Sequence, residues 1–197
     1  MTIDELPVEL KMMLDETEAL KKGHFLLTSG LHSEYYLQCA LLLQHPQIAE
    51  KVCAEIAKKC HNVAIDTTFA PAIGGITIGY EMARALNCRA VFAERVDGNL
   101  ALRRGFHIAP GEKVLIVEDV ITTGGSVLEV REIAKAAGAD VKGFACIFDR
   151  SNEKFTPEEG LTSYAQIEVE TFKPEVCPLC ATGSQPVKPG SRTVPDQ

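Results

Sequence analysis

Between Lys113 and Ala137 the chain passes from strand periodicity to helix periodicity across a short polar hinge, and this narrows the available folds more than any other feature. Lys113-Val114-Leu115-Ile116-Val117 holds three β-branched residues and reads as a strand, Glu118–Gly125 is polar and Gly-rich, and Ser126–Ala137 has helical spacing. The alternation recurs along the chain. Val63-Ala64-Ile65 reads as a strand ending at Asp66, Thr67 and Thr68. It is followed by the breaker Pro71-Ala72-Ile73-Gly74-Gly75, a helix over about 76–86, the strand Ala90–Ala93 and, further on, the strand Val141–Phe148. Strands alternating with helices predict an α/β chain with a parallel sheet covered on both faces.

Before this core, Leu6, Leu10, Met13, Leu14 and Leu20 predict an amphipathic helix ending near Lys21-Lys22-Gly23. A β-like patch follows at Phe25–Leu27 and Tyr35–Leu37, and Pro46 opens a helix that reaches Cys60. Glu94 to Gly111 contains no convincing element, a length that usually marks a functional or mobile loop. Five of the ten prolines fall from Pro174 onward, so this end is expected to be an extended tail.

At 197 residues, a chain that is 46% apolar supports one domain with a real core. Its 20 basic and 27 acidic residues give a net charge of −7, which disfavours a nucleic-acid binder or a membrane-surface helix. No apolar run approaches a bilayer span, and Met1–Glu9 lacks the pattern of a signal peptide, so a cytoplasmic location is expected.

The hinge carries the chemistry. In an open parallel sheet, ligands bind beyond the carboxyl ends of the strands. There Thr122, Thr123 and Ser126 supply hydroxyls, Gly124 and Gly125 let backbone N–H groups turn inward, and the following helix N-terminus adds positive potential: together, a phosphate cradle. Glu118 and Asp119 would repel that phosphate, and are better explained as acceptors for sugar hydroxyls with a divalent cation nearby. Neither G-x-x-x-x-G-K-[ST] nor G-x-G-x-x-G occurs in the chain.

Val114–Ser126 resembles the phosphoribosyl-diphosphate (PRPP) signature of the type I phosphoribosyltransferases, in which an apolar run, two acids and two apolar residues precede Thr-x-Gly-x-[Thr/Ser]. Phe25-Leu26-Leu27-Thr28-Ser29-Gly30 with Ser33, Tyr35 and Tyr36, the Pro71–Gly75 loop and Phe148-Asp149-Arg150 resemble, in order, the orotate-specific members of that family over roughly residues 20–152. The resemblance implies the parallel-sheet phosphoribosyltransferase fold over 1–173, with a small hood over about 1–38, a core over about 46–152, a mobile loop, and the Pro-rich tail at 174–197. It implies transfer of the phosphoribosyl group of PRPP to orotate with Mg²⁺, giving orotidine 5′-monophosphate and diphosphate, in a homodimer whose loop reaches the partner's site.

By the same resemblance Thr122–Ser126 hold the 5′-phosphate, and Glu118 and Asp119 the ribose hydroxyls. The Ala72–Gly75 loop, with Ala72, Ile73 and Gly74, offers N–H groups to the diphosphate, and Arg95, Val120 and Ile121 also bind PRPP. Thr122, Arg150, Tyr35 and Tyr36 meet orotate. Relatives commonly carry Lys-x-x-Lys-x-His in the loop, and some carry Lys at the positions of Thr28 and Gly74. Here the loop has no lysine, which leaves Arg103, Arg104 and His107 as its candidate clamp or as solvated loop charges. Two rivals remain open: a type I enzyme for another base, and a non-enzymatic regulator that senses PRPP.

The cysteines at 39, 53, 60, 88 and 146 sit in apolar segments and read as small hydrophobes. Cys177-Pro178-Leu179-Cys180 supplies only two of the four ligands zinc needs, with no histidine nearby in sequence. It leaves three readings: a Cys₄ site shared by two chains, a redox pair, or inert thiols. His24, His32, His45 and His61 are scattered and receive no ligand role, since a satisfied or exposed histidine is the ordinary case.

Overall fold

The computed structural model describes residues 1–27, 29–60 and 63–189, so Thr28, His61, Asn62 and the last eight positions lie outside the described residues. The chain forms two compact units, one of Met1–Leu42 with Glu168 onward, the other Leu43–Ile167.

The larger unit holds a six-stranded sheet in the order β5-β4-β3-β6-β7-β8. Its elements are α3 (Pro46–Lys59), β3 (Thr67–Pro71), α4 (Gly74–Leu86), β4 (Arg89–Val96), β5 (Asn99–Leu102), β6 (Lys113–Ile121), α5 (Gly125–Ala136), β7 (Asp140–Asp149) and β8 (Leu161–Gln166). All neighbours run parallel except β4 and β5. β3, α4 and β4 wind one way from the centre, whereas β6, α5 and β7 wind the other. With right-handed crossovers, that reversal places α4 and α5 on opposite faces and opens a crevice at the carboxyl ends of β3 and β6. The predicted parallel α/β sheet is the fold observed.

Both faces of the centre are dry. Phe69, Val114, Ile116, Phe144 and Cys146 are fully or almost fully buried under Val127, Val130 and Ala134 of α5. Cys53, on the buried side of α3, behaves as a hydrophobe, its thiol pushed up to about 12 chiefly by burial.

Several boundaries differ from those expected. The strand placed at Val63–Ile65 is β3, four residues later: Val63 is 40% exposed, while every residue from Thr67 to Pro71 is buried. The sheet therefore takes the β-branched threonines, Phe69 and even the proline of the expected breaker. β6 continues through Glu118 and Asp119 to Ile121, so the acids are strand residues and not loop residues.

The featureless stretch from Glu94 is in fact the end of β4 and a hairpin into β5, turned at Asp97 and Gly98, both with positive φ. Asp-Gly is the favoured pair for a two-residue turn of this hand. β8 had no sequence expectation.

The smaller unit contains α1 (Val8–Glu16), the hairpin β1 (Leu20–Leu26) and β2 (His32–Leu37), α2 (Cys39–Leu43), which reaches the unit boundary, and α6 (Pro178–Ala181). The N-terminal helix ends earlier than expected: Glu18 takes positive φ, Ala19 N–H bonds the Leu14 carbonyl, and Leu20–Gly23 pass into β1.

The expected tail is not extended through its described part. Cys177 is buried, and Val187 pairs with β1, its N–H donating to the His24 carbonyl at 2.8 Å. Among the described residues, no helix is long and apolar enough to cross a membrane.

Candidate active site

The crevice predicted by topology is a cleft of about 250 Å³ over α5, lined by residues 120–127 with Arg95, Glu118 and Glu129. Its floor is the loop between β6 and α5. Gly124 adopts φ +78° as the N-cap of α5, a left-handed conformation that glycine enters without steric cost. A Cβ there would lie 2.2 Å from the Phe155 ring. Phe155 is itself buried and packs edge-on to Phe144 at 5.2 Å. The loop expected to cradle a phosphate is thus pressed onto the core at one residue that must be glycine, while Thr122, Thr123 and Gly125 stay exposed to the cleft.

Glu118 and Asp119 meet the β3–α4 loop. A Cβ on Gly75 would stand 3.1 Å from Glu118 Oε1, and one on Gly74 3.2 Å from Asp119 Oδ2, so the two glycines allow α4's N-terminus to approach the acids closely. Positive potential at that terminus favours the nearby carboxylates. Burial works against it: the carboxyl groups of Glu118 and Asp119 are both held above the usual range, first by desolvation and, for Glu118, next by repulsion from Asp119. Two hard oxygen donors that resist joint ionisation fit a magnesium ion or sugar hydroxyls.

Ala72 N–H donates to the Ala93 carbonyl at 2.7 Å, so it is already engaged in the sheet, and the Ala72–Ile73 peptide is cis. Ile73 is 86% exposed beyond it.

Arg95 reaches the cleft from β4, held by two hydrogen bonds to Glu129, at 3.1 and 2.9 Å, and one to the Gly98 carbonyl at 2.6 Å. The guanidinium in turn holds the Glu129 carboxyl below the usual range. Sequence reasoning missed Glu129. Its signal was helical: it lies one turn beyond Ser126 on α5. Arg150 stands beside Thr122 because β6 and β7 end in register at Ile121 and Asp149, and its N–H donates to the Ile121 carbonyl at 2.8 Å.

Arg103, Arg104 and His107 do not line the cleft. Arg104 is turned to Glu94 through bonds of 2.9 and 2.7 Å and lies over Phe92, and Arg103 and His107 are exposed. Tyr35 and Tyr36 belong to β2 of the smaller unit. There Tyr35 lines a cavity of about 450 Å³ with Glu34, Glu170 and Phe172, and Tyr36 packs on Phe25 at 5.7 Å.

Residues 41–178 match the family model described as "Phosphoribosyl transferase domain". An orotate phosphoribosyltransferase of Caldicellulosiruptor bescii is 53% identical over 180 residues, 91% of this chain and 95% of its own. One of Desulforamulus reducens is 48% identical over 186 residues, 94% of this chain and 97% of its own. Among solved structures, the Leishmania donovani UMP synthase superposes with a TM-score of 0.69 at 21% identity, over 81% of this chain and 36% of that one. The orotate phosphoribosyltransferase of Aeropyrum pernix gives 0.62 at 23%, over 80% of this chain and 93% of that one. At these identities the superpositions speak to the fold.

Proposed function

Because the chain belongs to the phosphoribosyltransferase family, we propose that its cleft transfers the phosphoribosyl group of PRPP to orotate, yielding orotidine 5′-monophosphate and diphosphate. The observation that carries this reading is one convergence at the sheet's crevice: the β6–α5 cradle, the acid pair, and the two glycines that let the β3–α4 loop approach the acids.

Displacement at the anomeric carbon passes through an oxocarbenium-like state, so the protein's task is to position, stabilise charge and exclude water. The N–H groups and hydroxyls of residues 122–126 hold the 5′-phosphate at the α5 N-terminus. Glu118 and Asp119 accept the ribose hydroxyls and supply oxygen donors to Mg²⁺ carried with PRPP; when bound, that ion offsets the charge of the departing diphosphate. The N–H groups at the start of α4, after Ala72, face the diphosphate. Arg150, beside Thr122, pairs with the orotate carboxylate in the bidentate geometry that suits a guanidinium.

Arg103, Arg104 and His107 act as the diphosphate clamp of a second copy of the chain, each loop serving the other subunit of a homodimer. Their position outside the cleft of their own chain supports that reading. Arg104 must then exchange Glu94 for diphosphate, a trade made by an exposed guanidinium with a partly exposed carboxylate.

The test is diphosphate release from PRPP and Mg²⁺ with orotate, uracil, adenine and hypoxanthine as acceptors. Turnover with orotate alone is expected, and a native protein inactive on orotate defeats the proposal. Arg103→Ala and Arg104→Ala are expected to lower kcat at least tenfold. Mixing either with Glu118→Gln should restore part of the activity if the loop serves its partner, and mixtures no better than their components rule out that sharing.

A further inference from the structure

We propose that His24, His32, Cys177 and Cys180 form a structural zinc site within one chain. Their ligand atoms all lie within 4.8 Å of one another. His24 Nε2 is 3.0 Å from His32 Nδ1, 3.6 Å from Cys177 Sγ and 3.8 Å from Cys180 Sγ, and Cys180 Sγ is 3.3 Å from His32 Nδ1. With Zn–N near 2.05 Å and Zn–S near 2.3 Å, the edges of a tetrahedron are about 3.3 Å between nitrogens and about 3.6 Å between nitrogen and sulfur. The four separations scatter around those edges, and all seven cysteines are free thiols.

The backbone is arranged for this cluster. β1 and β2 begin in the register Lys22↔Tyr35, then shift by one residue to Phe25↔Ser33 and Leu26↔His32. Without the shift, His32 would face Phe25 and point away from His24. The bulge moves it opposite Leu26, two residues after His24 and on the same face.

The segment carrying the cysteines is tied to the same hairpin on both sides. Phe172 exchanges two backbone hydrogen bonds with His32, at 2.8 and 2.9 Å, and Val187 brackets Phe25 through the His24 carbonyl and the Leu26 N–H. Cys177-x-x-Cys180 therefore lands over the two histidines that are remote from it in sequence.

The surroundings suit a metal better than a redox pair. His24 Nδ1 lies 3.1 Å from both the Ser184 carbonyl and the Ser184 hydroxyl; the carbonyl only accepts, so it favours the tautomer with the proton on Nδ1, which turns the Nε2 lone pair toward the cluster. A carbonyl behind a histidine in this way is the usual outer partner of a ligand imidazole. His24, His32 and Cys177 are buried, with Cys180 partly exposed as an entry point. Four protein donors leave no open position, and two thiolates with two imidazoles select zinc over magnesium or calcium. On binding, the two thiols release their protons to solvent and the four ligands close the tetrahedron. The ion would pin residues 172–187 to the hairpin in a unit with a small core of its own.

Full-length protein purified without chelator is expected to carry one zinc per chain by plasma mass spectrometry. Replacement by Co²⁺ should give the intense visible bands of a tetrahedral thiolate site. Thiol titration should find Cys177 and Cys180 protected until a chelator is added, and stripping should lower Tm by about 5 °C or more, reversed by one equivalent of zinc.

Cys180→Ser, at the more exposed ligand, should hold zinc at least a hundredfold more weakly while remaining folded by circular dichroism. Zinc at half an equivalent per chain would assign the ion to two chains and overturn the proposal. So would full zinc retention in Cys180→Ser, a Cys177–Cys180 disulfide in metal-free protein, or unchanged Tm and no saturable binding when reduced protein is titrated with zinc.

Discussion

Replacing Gly124 by alanine tests whether the cradle owes its shape to the core beneath it. The added methyl would lie 2.2 Å from one Phe155 ring carbon and 2.4 Å from another, well inside contact distance, on a backbone fixed at φ +78°. The left-handed backbone costs alanine about 1 kcal/mol more than glycine. Forcing the ring aside adds roughly 1–3 kcal/mol, because Phe155 is buried against Phe144 with little room to retreat. The loss of backbone freedom in the unfolded chain returns a few tenths to 1 kcal/mol.

The net destabilisation is about 1–4 kcal/mol, which for a chain this long is a fall in Tm of roughly 2–16 °C. A double-mutant cycle with Phe155→Ala, read by urea unfolding, separates the two causes. In the Phe155→Ala background the alanine should cost only its backbone share, at most about 1 kcal/mol, leaving a coupling of roughly 1–3 kcal/mol. Equal costs in both backgrounds would refute the clash, and a cost below about 0.5 kcal/mol in the native background would refute the strain as well.

Three further outcomes follow from the site. Glu118→Gln should unfold at a higher temperature than the native protein at pH 8 and at nearly the same temperature at pH 4, while kcat/KM falls at least a hundredfold. A carboxyl raised by burial costs nothing below its unfolded pKa and destabilises increasingly as pH rises through the range where the unfolded chain ionises, so a lower Tm at pH 8 contradicts the assignment. Glu129→Gln removes a carboxylate charge from beside Arg95 and should lower KM for PRPP about threefold in low salt, with the difference fading as salt rises; a KM as high as that of Arg95→Ala would mean that Glu129 matters as a holder of Arg95. Gly75→Ala places a methyl 3.1 Å from both Glu118 Oε1 and Ala70 Cβ, and should raise KM for PRPP at least tenfold with a smaller change in kcat, read from initial rates.

The parts of this molecule legible in its sequence are those in which neighbours in sequence are neighbours in space. The strand–hinge–helix of Val114–Ala136 is continuous, so its cradle could be read directly, and nine of the residues expected around PRPP line one cleft. Parallel β3 was displaced because burial of Thr67–Pro71, a tertiary effect, outweighed the stronger local apolar signal of Val63–Ile65. The β4–β5 hairpin was legible and overlooked, its Asp97-Gly98 turn standing between residues that pair Arg95↔Leu100 and Val96↔Asn99.

The Cys and His cluster lay beyond a linear reading, because its partners are separated by up to 156 residues and are aligned by a one-residue bulge. The judgement that Cys177-x-x-Cys180 lacked histidines held for the sequence and fails for the structure, which puts His24 and His32 against it.

An acidic protein that binds a highly anionic substrate needs its positive potential to be local and directed, and the arginines around this site show how that is arranged. Arg95 is matched by Glu129 and Arg104 by Glu94, while Arg89, behind the same loop, is matched by Glu112. Each pair is close to neutral at a distance, so none builds the broad basic field that would also attract nucleic acid. Beside these pairs, the N–H groups at the starts of α4 and α5 add positive potential that is short in range and fades within a turn. To these is added any cation that arrives with the substrate and finds Glu118 and Asp119. Under the proposed assignment, selectivity for a phosphate on a sugar would follow from geometry, because the phosphate would meet the N–H groups of residues 122–126 while the hydroxyls of the same molecule reach the acids on β6. On that assignment a phosphate without the sugar would leave the half-buried acids without hydroxyl donors, and a sugar without the phosphate would leave the α5 terminus facing water.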